Sequence, residues 1–234
     1  MKNREILFAD WGEIGYKAAW DKQDALLQNI IAKKIKNRNI PQEEQEITDN
    51  YLIFCSHPHV YTLGKTGSIA NLLLSEDLLK ELGIEFFHTN RGGDITYHGP
   101  GQVVGYPILD LENFFTDIHR YMRNLEEVII ATLAEYGLKG ERLSGSTGVW
   151  LDIQKPHRVR KICAMGVRTS RWVTMHGWAL NVNSDLSYFN NIIPCGITDK
   201  AVTSLNKELE LDWVDEEEVK THLKRHFYRI FEGR

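Results

Sequence analysis

One of the chain's three cysteines sits between proline and glycine, in Ile193-Pro194-Cys195-Gly196-Ile197. Such flanks belong in a loop or sharp turn, where a thiol can reach a substrate, and not in the middle of a packed strand. A free thiol has a pKa near 8.5, so only roughly a few per cent is thiolate at neutral pH, and a nucleophilic cysteine therefore needs a cation close by. Lys161 opens the apolar segment Lys161-Ile162-Cys163-Ala164-Met165-Gly166-Val167-Arg168. Its plain reading is a strand-end lysine with the ammonium in water. The sharper reading puts it at the rim of a pocket, where its charge lowers the pKa of a thiol. Cys163 is a second nucleophile candidate, since regular alternation would place Lys161 and Cys163 on one face, about 7 Å apart. Cys195 is favoured by its turn; Cys55, in Leu52-Ile53-Phe54-Cys55, reads as core.

The segment Arg91-Gly92-Gly93-Asp94-Ile95-Thr96-Tyr97-His98-Gly99-Pro100-Gly101-Gln102 packs four glycines, an arginine and a histidine into twelve residues. Glycines allow positive φ and let a ligand approach main-chain N–H groups. The segment reads as a ligand-holding loop, with an ordinary tight turn as the alternative. It lacks the terminal Gly-Lys-Ser/Thr of a phosphate loop. Arg91 could bind a carboxylate or brace the loop. His57-Pro58-His59, His88 and His98 supply imidazoles, but no Cys/His cluster has zinc-site spacing, so no metal site is expected. The basic run Lys155-Pro156-His157-Arg158-Val159-Arg160-Lys161 is either a solvated face or a docking patch for an acidic protein.

The elements that must position these residues follow from periodicity. Helices are expected over Tyr16 to Lys36, Ser75 to Leu82, Asp117 to Tyr136 and Glu216 to Phe231, with Ser75 and Asp215 as caps. Strands are expected over Glu5 to Phe8, Tyr51 to Cys55, Val60 to Leu63, Ile84 to Phe87, Ile95 to Tyr97, Val103 to Leu109, Val149 to Asp152, Ile162 to Arg168 and Val173 to Val182. Strands arriving in clusters point to an α+β fold, with a largely antiparallel or mixed sheet flanked by helices. One catalytic domain over residues 1–234 is expected, with the tail suggesting a small appended lobe. With 42% hydrophobic and 26% charged residues the chain can build a core, and its net charge of −4 gives no pull toward nucleic acid or a membrane. The odd cysteine count argues against a disulfide framework. The charged start, Met1 to Leu7, has no signal-peptide core, so a cytoplasmic protein is expected.

Taken in order, Arg91–Gln102, Lys161–Gly166, His176-Gly177-Trp178-Ala179-Leu180-Asn181-Val182-Asn183 and Pro194-Cys195-Gly196 resemble the lipoyl (octanoyl) transferases, which attach octanoate to lipoyl domains. The resemblance implies the fold of biotin and lipoate protein ligases, with the acyl chain in a tunnel at the sheet. It implies Cys195 as the acyl-carrying nucleophile and Lys161 as its partner and general base. Substrate contacts are implied at Arg91, Gly92, Gly93, Asp94, Ile95, Thr96, Tyr97, His98, Ala164, Met165, Gly166, Gly177, Trp178 and Ala179. The implied donor is octanoyl-acyl carrier protein. The implied acceptors are lipoyl domains of 2-oxoacid dehydrogenase E2 subunits and the glycine cleavage H protein. No cofactor is implied, and a monomer is expected. Two positions depart from the family pattern: Ala164 replaces a serine, and Trp178 replaces a smaller aliphatic residue, which would shorten the acyl pocket. An ATP-dependent lipoate or biotin ligase is the rival reading.

Overall fold

Period-two alternation sets the layers. Leu52 and Phe54 face one core while Ile53 and Cys55 face another, and Val103 and Val104, and Leu180 and Ala179, divide in the same way. A sheet apolar on both faces must be covered on both. The computed structural model describes residues 2–193 and 201–233. In chain order it has β1 (Leu7–Glu13), α1 (Tyr16–Asn37), β2 (Tyr51–Ser56), β3 (Val60–Leu63), α2 (Glu76–Glu81), β4 (Glu85–His88), β5 (Ile95–His98) and β6 (Gln102–Ile108). There follow α3 (Ile118–Glu135), β7 (Val149–Leu151), β8 (Arg160–Ser170), β9 (Val173–Asn181), β10 (Ala201–Val202), α4 (Leu205–Leu209) and α5 (Glu216–Phe231).

The large sheet runs β1-β2-β6-β9-β8-β10, with β7 paired to β8, and a small sheet runs β4-β3-β5. The central pairs β2/β6, β6/β9 and β8/β9 are antiparallel, whereas β1/β2, β8/β10 and β3/β4 are parallel. This is the mixed α+β architecture that the clustered strands predict. Helix α1 covers one face through Ala19, Leu27, Ile30 and Ile31; α3 and α5 cover the other. Among the described residues no helix is long and apolar enough to cross a membrane.

The expected helix starts hold for a local reason. The Asp117 carboxylate accepts from Arg120 N at 3.0 Å and the Asp215 carboxylate from Glu217 N at 2.9 Å, each satisfying an N–H that the helix cannot. The tail is not an appended lobe. Val219, Leu223, Phe227 and Phe231 of α5 are buried in the core shared with α3 and the sheet, each burial contributing roughly 1.5–3 kcal/mol. The first strand runs on to Glu13, beyond the expected Phe8, because Leu7 to Asp10 pair with Tyr51 to Phe54 as an edge whose polar residues break the apolar pattern.

Candidate active site

A cavity opens between the two sheets at the centre of β8 and β9. From the predicted set it is lined by Arg91, Gly93, Asp94, Ile95, Thr96, His98, Lys161, Ala164, Met165, Gly166, Gly177, Trp178 and Ala179. Tyr16, Tyr106, Thr147, His176, Phe189 and Val202 complete it, around about 80 Å³ of free space. Ala164 lies opposite Ala179 and Gly166 opposite Gly177, so facing small residues leave room beside the sheet. Gly92 and Tyr97 are not among the lining residues. Gly92 N donates to the Val167 carbonyl at 2.9 Å, docking the loop on β8. Tyr97 is buried in the small sheet's own core, stacked on Tyr188 at 4.9 Å.

The Arg91–Asp94 loop is a rigid wall. Gly93 has φ +87°, a conformation that a side chain resists. At Gly64 a Cβ would come within 2.2 Å of the Gly93 carbonyl oxygen, so only glycine lets these two segments touch. Lys65 N then donates to the Arg91 carbonyl at 3.0 Å. The Arg91 guanidinium donates to the Thr62 carbonyl at 2.6 Å, the Thr62 hydroxyl at 2.9 Å and the Gly92 carbonyl at 3.1 Å. Of its two expected roles, these bonds are those of a brace. Asp94 accepts from Ile95 N at 2.7 Å and from Asn71 Nδ2 at 2.6 Å.

Lys161 lies on the rim, its Nζ 4.5 Å from the centre of the Trp150 ring. Cys163 does not share its face. Opposite β7 the register passes from Val149↔Cys163 to Trp150↔Lys161, one step against two, and such a bulge breaks regular alternation. Cys163 therefore packs in the α3/α5 core with Leu180 and Met165, where burial pushes its thiol up despite the Lys161 charge. Cys55 is likewise buried and its thiol is pushed up. Neither supplies a ready thiolate.

Trp178 borders the cavity, but its indole packs against Phe54 at 6.1 Å and Phe227 at 6.0 Å, in the α3/α5 core. The ring lies over Gly105, in the core on the face of the sheet opposite Ala179. The basic run is partly paired with carboxylates. Arg160 pairs with Asp152 at 2.7 Å and Glu208 at 2.5 Å, and Lys155 and Arg158 also reach Asp152. Arg160 and Lys155 together hold the Asp152 carboxyl down to about 2.

The other end of the cavity carries aromatic and imidazole groups. His57 Nδ1–H donates to the Ile14 carbonyl at 2.7 Å, which leaves Nε2 to accept from the Tyr106 hydroxyl at 2.7 Å. His98 stacks on Tyr16 with centroids 5.8 Å apart and bonds Gln102 Oε1 at 3.2 Å. Gln102 continues to Asn181 Oδ1 at 2.9 Å, and Asn181 to the Thr203 carbonyl at 2.9 Å. Thr203 N donates to the Lys161 carbonyl at 2.9 Å, so one chain of bonds ties the Gly-Pro-Gly-Gln turn to the lysine strand. His176 is held at φ +59° within β9, with its N–H on Gln23 and Nε2 on Asn90.

Burial lowers the pKa of all three imidazoles: His57, His98 well below the usual value, and His176 to about 3. Arg91 lowers His98 and His176 further. A histidine depressed in the folded state stabilises fully above its unfolded pKa, near 6.5, and loses that contribution as pH falls toward the folded value. Stability should therefore decline below about pH 6.5, by up to about 1.4 kcal/mol per pH unit for each of these histidines. Urea unfolding at pH 7, 6 and 5 checks this, and equal midpoints would contradict it.

Cys195 lies outside the described residues. The chain on either side of it is anchored at two edges of the cavity. Before it, Ile193 N donates to the Asn71 carbonyl at 2.8 Å, beside the Asn71–Asp94 bond. After it, Ala201 and Val202 pair in parallel with Arg160 and Lys161. Sequence reasoning missed Tyr16, Tyr106, Thr147, Phe189 and Val202 as lining residues, because each reads as an ordinary core or loop position. His176 and Gln102 had a signal, since both stand within the quoted motifs.

The model of the lipoyl protein ligase A/B catalytic domain matches residues 16–228. An octanoyltransferase of Flavobacterium psychrophilum is 61% identical over 230 residues, covering 98% of both chains. Among solved structures, a bipartite lipoate protein ligase from Thermoplasma acidophilum has a TM-score of 0.66 at 17% identity, over 97% of this chain and 83% of its own. A biotin protein ligase from Aquifex aeolicus reaches a TM-score of 0.50 at 14% identity, over 98% of this chain and 71% of its own. These two likenesses concern the fold, which is the one the clustered strands and motifs predict. Matched over most of its length, with the glycine loop, the lysine strand and the His-Gly-Trp-Ala strand meeting at one cavity, the chain belongs to the lipoyl protein ligase A/B catalytic domain family.

Proposed function

We infer that this chain is an octanoyltransferase that acylates a protein lysine, working through a Cys195 thioester with Lys161 as its proton partner. The name of its close relative supports the reaction. The observation that carries the residue assignment is Lys161 on the cavity rim beside Val202, where the strand following Cys195 resumes. The two other cysteines are buried and have raised pKa values, which leaves the thiol chemistry to Cys195.

The steps balance without a nucleotide. Cys195 thiolate, paired with the Lys161 ammonium, attacks the octanoyl thioester of the donor. The bond from carbonyl carbon to the carrier sulfur breaks, and the carrier thiolate takes the Lys161 proton. The acceptor lysine arrives as a neutral amine and attacks the Cys195 thioester. Its surplus proton passes to neutral Lys161, the Cys195 C–S bond breaks, and the thiolate–ammonium pair is restored. One sulfur ester is exchanged for another of similar energy, and amide formation drives the second step. The Ala164/Ala179 and Gly166/Gly177 pairs give an unbranched acyl chain its room.

The donor in this reading is octanoyl-acyl carrier protein, and the acceptors are lipoyl domains of 2-oxoacid dehydrogenases and the glycine cleavage H protein. The chain acts as one catalytic domain, as a monomer, in the cytoplasm. Purified protein mixed with octanoyl carrier protein, without ATP, should gain the mass of one octanoyl group at Cys195 and lose it on addition of a lipoyl domain. Transfer that requires ATP and free octanoate would replace this reading with that of a ligase.

A further inference from the structure

In this reading Lys161 must be both near the thiol and fixed in direction, and one contact of its ammonium is with a neighbouring ring. Trp150 sits directly opposite Lys161 in the β7/β8 pair, so their side chains share a face, and the ammonium lies 4.5 Å from the indole centroid. The ring is 2% exposed, so this contact is desolvated on the tryptophan side. Its backbone is fixed on both edges: Trp150 N and O bond Glu141 O and N at 2.9 and 2.8 Å, while the other edge of β7 pairs with β8.

The choice of tryptophan itself points the same way. The Trp150 Nε1 is buried and finds no hydrogen-bond acceptor among the described residues. A buried N–H left without an acceptor costs stability, so packing alone would favour phenylalanine or leucine here. What tryptophan adds is the strongest aromatic face for a cation.

We propose that Trp150 is the positioning residue for Lys161, its indole face holding the ammonium on the cavity rim in the orientation that both half-reactions use. The proposal rests on the reading of Lys161 as the partner of Cys195. A cation–π contact shielded on one side, worth about 1.4 kcal/mol, corresponds to an effect of about tenfold.

The test compares Trp150→Leu, Trp150→Phe, Lys161→Met and the Trp150→Leu/Lys161→Met double variant. Each is assayed for iodoacetamide alkylation of Cys195 across pH, read by peptide mapping, and for steady-state transfer. Losing an oriented ammonium raises the pH at which the thiolate forms. Trp150→Leu should raise the alkylation midpoint by about one pH unit and lower kcat about tenfold, with KM little changed. Trp150→Phe, which keeps a weaker face and an aromatic ring in the buried position, should fall between that and the parent. Adding Trp150→Leu to Lys161→Met should change neither readout. If Lys161→Met moves the midpoint and Trp150→Leu or Trp150→Phe only lowers Tm, Trp150 is a packing residue and the proposal is wrong. If Lys161→Met itself leaves the midpoint in place, the pairing of Lys161 with Cys195 fails first, and this inference with it.

Discussion

Cys195→Ser is expected to lower octanoyl transfer by at least on the order of a thousandfold and to abolish the acyl-enzyme, with Tm within a few degrees of the parent. A thiol with an ordinary pKa near 8.5 lies within reach of a neighbouring ammonium, which can make it substantially ionised at neutral pH. An alcohol ionises far less readily, so the same charge leaves serine a neutral, weak nucleophile. A serine ester is also a poorer acyl donor than a thioester, so any adduct formed slowly would persist and not pass to the acceptor lysine. Intact mass after exposure to octanoyl carrier protein reads the adduct, and transfer to a lipoyl domain reads turnover. Cys55→Ala and Cys163→Ala are the controls: both thiols are buried, so both variants should still be acylated. A serine variant that transfers at the parent rate would remove Cys195 from the mechanism.

Lys161→Met should lower turnover on the order of a hundred- to a thousandfold. Methionine keeps an unbranched apolar stem to lie against Trp150, so stability should change by less than about 1 kcal/mol. Without the ammonium, the first half-reaction should follow ordinary thiol ionisation and recover as pH rises past about 8.5. Lys161→Arg separates the two duties of the residue. A guanidinium keeps the positive charge but is not deprotonated in proteins, so it can support a thiolate but cannot accept the proton of the incoming amine. This variant should therefore become acylated and then stall, accumulating octanoyl-enzyme in the presence of acceptor. Rapid-quench sampling followed by intact mass measures both phases. Normal transfer by Lys161→Arg would exclude Lys161 as the base.

Much of the frame was legible in the chain because it depends on local periodicity. Helices starting at Asp117 and Asp215 and the strands holding Ile53, Val104 and Ala179 follow from spacing and from which N–H groups a nearby carboxylate can satisfy. The edge strand was harder to read, since five of its seven residues are exposed and its extent is set by pairing with β2. For the basic run a charge count does not reveal partners: Asp152 and Glu208, 48 residues beyond Arg160 in the second case, both pair with Arg160.

The sequence by itself determined the chemical parts: a thiol between proline and glycine, a lysine at a strand start, a glycine-rich wall, and the motif order that marks the family. Tertiary structure decided which parts meet and which way they face. A bulge opposite β7 separates Cys163 from Lys161, the two-sided sheet packs the Trp178 ring into the α3/α5 core, and pairing across β7 and β8 sets Trp150 against the lysine ammonium. Residue type and spacing are local properties. Facing, burial and charge neutralisation arise from contacts between segments far apart in the chain, and so they exist only once it has folded.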